Sequence, residues 1–307
     1  MPMATAQGIQ SYSGVLIPSL WAGKWNMKFY DATVLAAISN TDFEGMIKNQ
    51  GDKVIIRNLP DIEIGDYVVG QSLPPSQRPL SSTIELTIDR AKYFRFGLDD
   101  IDAVQTDMAL LDGWMNDATQ QSKIVIDKDV LGSVIADVAS VNQGATAGRK
   151  SANFNLGATN ASVAITTSNA VDQILALGTV MDEANIPEDN RWIVLPPWYI
   201  NRLKRSDLKQ AYLTGDSVSP LRNGKVGMID RFTVYSSNLL STASDGTHTY
   251  TSVLAGHKSA ITFASQLVKV ENMRPESTFA TVVRGLQVYG FKTVKSDGIA
   301  LGRYYPG

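Results

Sequence analysis

Cysteine is absent from this chain, and histidine occurs only twice in its 307 residues. Neither disulfides nor thiolate metal sites can therefore hold the fold. A zinc site would need both His248 and His257 together with carboxylates. A serine triad would have to recruit one of the same two imidazoles. An excess of one charge is missing too. Lysine and arginine number 28 against 30 aspartates and glutamates, a net of −2. That leaves no field to grip nucleic acid by counterion release, which excludes a dedicated DNA or RNA binder. No run approaches the roughly 18 apolar residues that cross a bilayer. The opening "MPMATAQGIQ" has neither the basic start nor the apolar core of a signal peptide. The expectation is a chain that folds where it is made, away from membranes. A GxxxxGK phosphate loop, a GxGxxG after a strand and a GxSxG elbow are all lacking. Catalytic residues, cofactors and metals are each expected to be none, and the protein is not expected to be an enzyme.

What is present reads as a mixed chain long enough for two modest domains or one elaborated core. Residues 1–45 carry Leu20, Trp21, Trp25, Phe29 and Tyr30 without a strong period. Such an arm either packs on its own domain or is covered by a neighbour, since interfaces are enriched in these residues. "DATVLAAISN" predicts a short helix capped by Asp31. Val54 and Ile56 alternate with Ile55 and Arg57, and Ile84, Leu86 and Ile88 alternate with Glu85, Thr87 and Asp89, so two strands are expected. Between them about two dozen residues hold Pro60, Pro74, Pro75 and Pro79, a functional excursion rather than a tight hairpin. A long helix follows, with Met108, Leu111, Met115, Ala118 and Val125 on one face and Ile124, Leu131, Ile135 and Val138 continuing the stripe. Asp99, Asp100 and Asp102 precede it. They are either a carboxylate cluster for chemistry or helix-start charges that suit the macrodipole.

Residues 142–162 are small, polar and glycine-rich, which reads as a linker. Asn169 and Asp172 then look like a cap and its N3 partner. Val171, Ile174, Gly178 and Met181 recur at helical steps, and Asn185 and Pro187 end the helix. "RWIVL" (191–195) predicts a buried strand running into Pro196-Pro197 and a second helix. A strand aimed at a helix start is the geometry of an anion site, but proline removes the N–H groups that would bind the anion. Tyr199, Ile200 and Leu203 share one side of that helix, and Asn201, Arg202, Lys204 and Arg205 share another. The basic side is either a solvated face or a contact with a neighbouring subunit. Strands are expected at 232–236 and 252–255, a short helix at "HKSAITFAS", and β-rich closing segments in "QLVKVENMRP" and "FATVVRGLQVYGFKTVK".

"NGKVGMIDRFTVYSSN" (223–238) resembles a signature of tailed-bacteriophage major capsid proteins, matched at Gly224, Gly227, Ile229, Phe232, Val234, Ser237 and Asn238. Arg231 stands where that family often has glycine. "NIPEDNRWIVLPPWYINRLKRSD" resembles the helix–strand–helix passage of the family's A-domain. "VVRGLQVYGFKTVKSDGIALGRY" is similar to the closing strand of the P22-like coat protein variant, here without that protein's inserted domain. The resemblance implies an α+β chain with the HK97-type capsid fold. Its parts would be an N-terminal arm (1–50), an E-loop (51–96), a P-domain with a spine helix (97–165), an α/β A-domain (166–265) and C-terminal P-domain strands (266–307). It also implies self-assembly through pentamers and hexamers into an icosahedral shell around double-stranded DNA, in a virion assembled in the host cytoplasm. A scaffolding protein, a portal and a decoration protein would be the partners. Inter-subunit contacts would fall on Trp21, Trp25, Asp61, Glu63, Asp66, Arg78, Arg202, Lys204, Arg205 and Asp207. Some relatives weld an E-loop lysine to a neighbour's asparagine. Here residues 60–82 hold no lysine, only Arg78, and a guanidinium stays protonated, so no crosslink is expected. The alternatives are an encapsulin-type shell, a tail or decoration protein, and, from another class, a carboxylate-dependent hydrolase built on Asp99, Asp100 and Asp102.

Overall fold

The computed structural model describes residues 30–31, 33–42, 53–57, 60, 62–67, 69–72, 75–78, 83–100, 110–206, 227–276 and 279–307. At its centre is a seven-stranded mixed sheet in the order β4 (Val163–Ile165), β12 (Ile299–Pro306), β9 (Thr249–His257), β5 (Arg191–Leu195), β7 (Phe232–Ser236) and β6 (Met228–Ile229), with β8 (Thr242–Ser244) pairing beside β9. All five residues of "RWIVL" are buried, because layers cover both faces of this strand. Trp192 and Val194 point to one cluster with Leu254, Ile299 and Leu301. Ile193 and Leu195 point to the other with Val253, Ala255 and Ala300, the alternation a pleated strand imposes. Helices α3 (Ala170–Glu183) and α4 (Pro197–Arg205) cover the second face. Short α1 (Leu35–Ile38) and the long α2 (Leu110–Val134) contribute to the first.

Helix α3 ends as the sequence predicts. Asn185 adopts a left-handed φ of 55°. Its N–H reaches Asp182 O at 2.9 Å and the Ile186 N–H reaches Met181 O at 3.2 Å, the paired closure of a Schellman turn. Pro196 and Pro197 start α4, as expected of a residue whose missing N–H would have no helical partner.

A second, three-stranded antiparallel sheet runs β10 (Ile261–Met273), β11 (Ala280–Thr293), β3 (Arg90–Asp99). Preceding β3, a two-stranded ribbon of β1 (Lys53–Arg57) and β2 (Thr83–Thr87) brackets the proline-rich excursion, with Lys53 opposite Thr87 and Arg57 opposite Thr83. The alternation read there holds: Ile56 and Leu86 are buried and Ile55 is exposed.

Four expectations are corrected. "HKSAITFAS" is not a helix but a single 3₁₀ turn, Lys258–Ala260, followed by the long β10; pairing with β11 along its length outweighs local propensity. Residues 142–162 are no linker. Asn142, Ala147 and Leu156 are buried, and Ala147 and Phe154 exchange backbone hydrogen bonds. Gly157 is needed there because a Cβ would sit 2.4 Å from Arg303 O. On α2, Val125 is 44% exposed. Leu131 of the expected stripe is buried, with Ile124 and Ile135 packed against the same cluster, and Ile126, Val130 and Val134 are buried beside them. The cap of α1 is not Asp31: Val34 holds the N-cap position, and the carboxylate serving it comes from Asp127 of α2. Strand β12 lies inside the seven-stranded sheet, and residues 265 and 266 both lie within β10. Met108 lies outside the described residues.

Candidate functional site

The ribbon is tied to its own subunit at the root. Ile56, Leu86 and Ile88 pack with Ala264, and Val54, Ile84, Val288 and Val294 lie against them. At the crossing, a Cβ on Gly290 would stand 2.1 Å from Thr87 O and 2.9 Å from Ile88 Cα, so only glycine lets the backbones meet. Immediately beyond, Arg90 pairs with Asp129 of α2 at 2.8 Å, reaches Ser133 Oγ at 3.2 Å, and lies 4.5 Å over the Phe291 ring. The Tyr289 hydroxyl donates to the same Asp129 carboxylate at 2.6 Å. Burial works against ionising Asp129, but the hydrogen bonds from Tyr289 and Arg90 outweigh it and hold the carboxyl below its ordinary range. Burial, then the bond to Asp129, pushes the Tyr289 phenol up.

The far end of the ribbon is open. Ile62, Ile64, Tyr67 and Val69 are all strongly exposed, Ile64 at 94%. The tip is folded on itself by a reciprocal amide contact: the Glu63 N–H donates to Gln77 Oε1 at 3.1 Å and Gln77 Nε2 donates to Glu63 O at 2.8 Å. Glu63, Asp66 and Arg78 are exposed on this tip, and none is ion-paired with another described residue. Exposed large apolar side chains set among charges make this tip a candidate interaction surface. Asp61 lies outside the described residues.

Helix α4 presents the second candidate surface. Tyr199 and Leu203 are fully buried. The Tyr199 hydroxyl donates to Ala170 O at 2.9 Å, and burial raises its pKa well above the usual value. Arg202 and Lys204 are half-buried and Arg205 is exposed. The structure therefore brings the three bases of the last turn to one end of the helix, where they suit its carbonyl pole. Trp21, Trp25 and Asp207 lie outside the described residues.

Arg231, the departure from the family's glycine, has a structural role. It follows Asp230, whose φ is 53°, and it reaches Asp182 at 2.6 Å and Glu188 at 2.7 Å. Asp182 also holds Arg191 at 2.7 Å. Arg191 is buried, and it donates to Pro187 O at 2.8 Å and to Ile186 O at 2.6 Å, so it closes the C-terminal end of α3. Sequence reasoning missed Arg191 and Asp127. The only signal was a charge set in an apolar run, Arg191 ahead of "WIVL" and Asp127 among "IVI" and "VL".

Asp100 is bound by Arg274 at 3.2 Å, Asp99 ends β3, and Asp102 lies outside the described residues. His248 stacks on Tyr305 at 4.0 Å, whereas the His257 Nδ1 sits 2.8 Å from Ser259 Oγ. Among the described residues no group of three His, Asp or Glu side chains could hold a metal, and no helix is long and apolar enough to cross a membrane.

Comparison with known proteins bears on what these surfaces do. The profile of the phage capsid protein family matches residues 83–301. A structure from Mycobacterium phage Che8 superposes with a TM-score of 0.78 at 24% identity, covering 96% of this chain and 98% of the other. The capsid structure of the cyanophage P-SCSP1u gives 0.72 at 14%, over 95% and 94% of the two chains. The capsid of Ralstonia phage GP4 gives 0.64 at 14%, over 98% and 99%. No curated protein sequence matches the chain.

Proposed function

Because the chain belongs to the phage capsid protein family and has the α+β HK97-type fold, we propose that it is the major capsid protein of a tailed phage. Copies assemble through rings of five and six into an icosahedral shell around double-stranded DNA. The family match over 83–301 carries this reading, because it spans both sheets, α2 and the helices of the α/β layer. In this reading the ribbon with its apolar tip is the E-loop, and residues 1–50 are the arm. Residues 97–165 and 266–307 form the P-domain around the spine helix α2, and 166–265 form the A-domain that gathers around the ring axes. Arg202, Lys204, Arg205 and Asp207 face neighbouring copies there, and Trp21, Trp25, Asp61, Glu63, Asp66 and Arg78 meet the adjacent subunit. A scaffolding protein, a portal and a decoration protein are the partners. The shell belongs to the virion and assembles in the host cytoplasm.

Assembly is then the mechanism. Heterologous contacts that close into rings fix the geometry, and extended obligate interfaces bury about 2,000 Å² or more. Individual contacts need not be strong, since ring closure makes the later ones effectively intramolecular. Weak contacts also release misplaced copies. A net charge of −2 fits both demands on such a subunit: it spares many packed copies mutual repulsion, and it does not trap the enclosed DNA.

The test is expression of the chain alone, followed by negative-stain electron microscopy and light scattering of the soluble fraction. Closed particles, or rings of five and six, are the expected result. A well-folded monomer at high concentration that stays monomeric when scaffolding protein is supplied would overturn the reading.

A further inference from the structure

Among the described residues, no strand lies along most of the outer edge of β10. Its first residues are flanked by Asn40: the Asn40 N–H donates to Ile261 O at 2.8 Å, and the Phe263 N–H donates to Asn40 O at 2.9 Å. Beyond the bulge between Ser265 and Leu267, no described strand pairs with the outer side of β10. Val270 is 50% exposed there, and Met273 is exposed as well. A β-branched edge without proline is a template for another strand.

The direction of the free backbone groups can be derived. Ile261 O and Phe263 N point outward, so the even-numbered residues face β11 before the bulge. The bulge inserts one residue and reverses that phase. From Leu267 on, the odd-numbered residues bond to β11, while Val268, Val270 and Asn272 turn their N–H and C=O outward. An incoming antiparallel strand must pair with those three.

We propose that this edge pairs with the same edge of a second copy, antiparallel about a two-fold axis through Val270, joining two subunits across capsomers. This inference rests on the shell reading above. Charge selects both the occupant and the register. With Val270 opposite the partner's Val270, Lys269 stands opposite the partner's Glu271, and Glu271 opposite the partner's Lys269. In the same register position 267 stands opposite position 273, and 268 opposite 272. The neighbouring registers that keep outward groups paired set Lys269 against Lys269, or Glu271 against Glu271, and like charges directly opposite are destabilising. Within one chain Lys269 and Arg284 already flank Glu271, with Arg284 at 2.6 Å. The second lysine would complete an alternating row of charges across the axis. A contact in which each copy offers the same patch is what a two-fold axis requires.

The chain has no cysteine, so Val270→Cys creates a single thiol. In a hydrogen-bonded antiparallel pair the Cα atoms lie about 5.5 Å apart, within the range of roughly 4.4–6.8 Å that a disulfide spans. Mild oxidation of the full-length variant should move most of the chain from monomer to dimer mass on a non-reducing gel, reversibly with reductant. Asn272→Cys, which faces residue 268, should stay monomeric. Lys269→Glu, which opposes acids across the axis, should sharply reduce crosslinking when added to Val270→Cys. Particles whose Val270→Cys thiols remain free would overturn the edge pairing and leave the shell reading standing. Crosslinked dimers without particles or rings, even with scaffolding protein supplied, would support the pairing and sink the shell reading. Monomers with free thiols and no particles would sink both.

Discussion

Asp127 is 3% exposed, yet its carboxylate serves another helix. Oδ2 accepts the Val34 N–H at 2.5 Å and the Leu35 N–H at 3.2 Å, two of the donors a helix start leaves unmatched. Asp127→Ala should cost about 2 kcal/mol in urea unfolding, a lost cap plus buried donors without partners. Burial raises the Asp127 pKa more than those two N–H groups lower it. The folded state therefore holds this proton more firmly than the unfolded one. The contribution is most favourable below the unfolded pKa, near 4, and is lost as pH rises through the folded value. The stability of Asp127→Asn relative to the natural chain should accordingly improve between acid and neutral pH. Asp129 has the opposite sign, because its pKa is lowered. Its contribution is present above the unfolded value and is lost as pH falls through the folded one, so Asp129→Asn should flatten part of the acid denaturation profile. The two arginines on Asp182 also differ. Arg231→Gly removes partly exposed pairs and should cost no more than about 1 kcal/mol. Arg191→Ala empties a buried site and strands its carbonyl partners, and should cost about 3 kcal/mol or more. The sequence marked Arg231 as unusual but could not show why, because Asp182 is far along the chain and meets it only through the fold.

At the scale of elements, periodicity located strands and helices well wherever one face alone was buried. Ile84, Leu86 and Ile88 are legible as a strand because alternate residues face water. Helix α4 is legible because Tyr199 and Leu203 are one turn apart with bases opposite. Reading failed where non-local pairing decided the outcome. "ITFAS" becomes strand because β11 lies beside it. The loop 142–162 becomes ordered because β12 and α3 supply its partners, Glu183 accepting from Lys150 N at 2.7 Å and Arg149 meeting Asp297 at 2.6 Å. On α2 the expected stripe holds at Leu131, but it includes the exposed Val125 and misses Ile126, Val130 and Val134, because Asp127 sits among them and a buried acid hides that part of the apolar face from a pattern search. The crossing at Gly290 was equally invisible. Gly290→Ala should force Thr87 away from β11, lower stability by about 1–3 kcal/mol as overpacking does, and speed hydrogen exchange across residues 83–88. Unchanged exchange there would show that the ribbon does not depend on this crossing.

For the whole molecule, the order of segments carried more information than any one of them. An arm, a proline-rich excursion, a long helix, an α/β passage and closing strands together resembled a capsid subunit, and the family match agrees. The surfaces proposed for assembly were less legible. Exposure of Ile62, Ile64, Tyr67 and Val69 is a property of the folded ribbon, and the edge of β10 that no described strand pairs follows from its place at the margin of a sheet. Because 60–82 lacks lysine, particles dissolved in hot detergent should run as single chains. A covalent ladder would contradict this.

The position of β12 has a temporal consequence. Its two neighbours, β4 and β9, are both made earlier, and they are bridged only when residues 299–306 arrive between them. A growing chain on the ribosome therefore carries the apolar ribbon tip long before it owns a finished core. The seven-stranded sheet cannot close until residues 299–306 have emerged to lie between β4 and β9. Folding thereby acts as a clock that withholds polymerisation until synthesis has passed this strand, and a chain stopped after Thr293 should stay largely unfolded and be unable to enter particles.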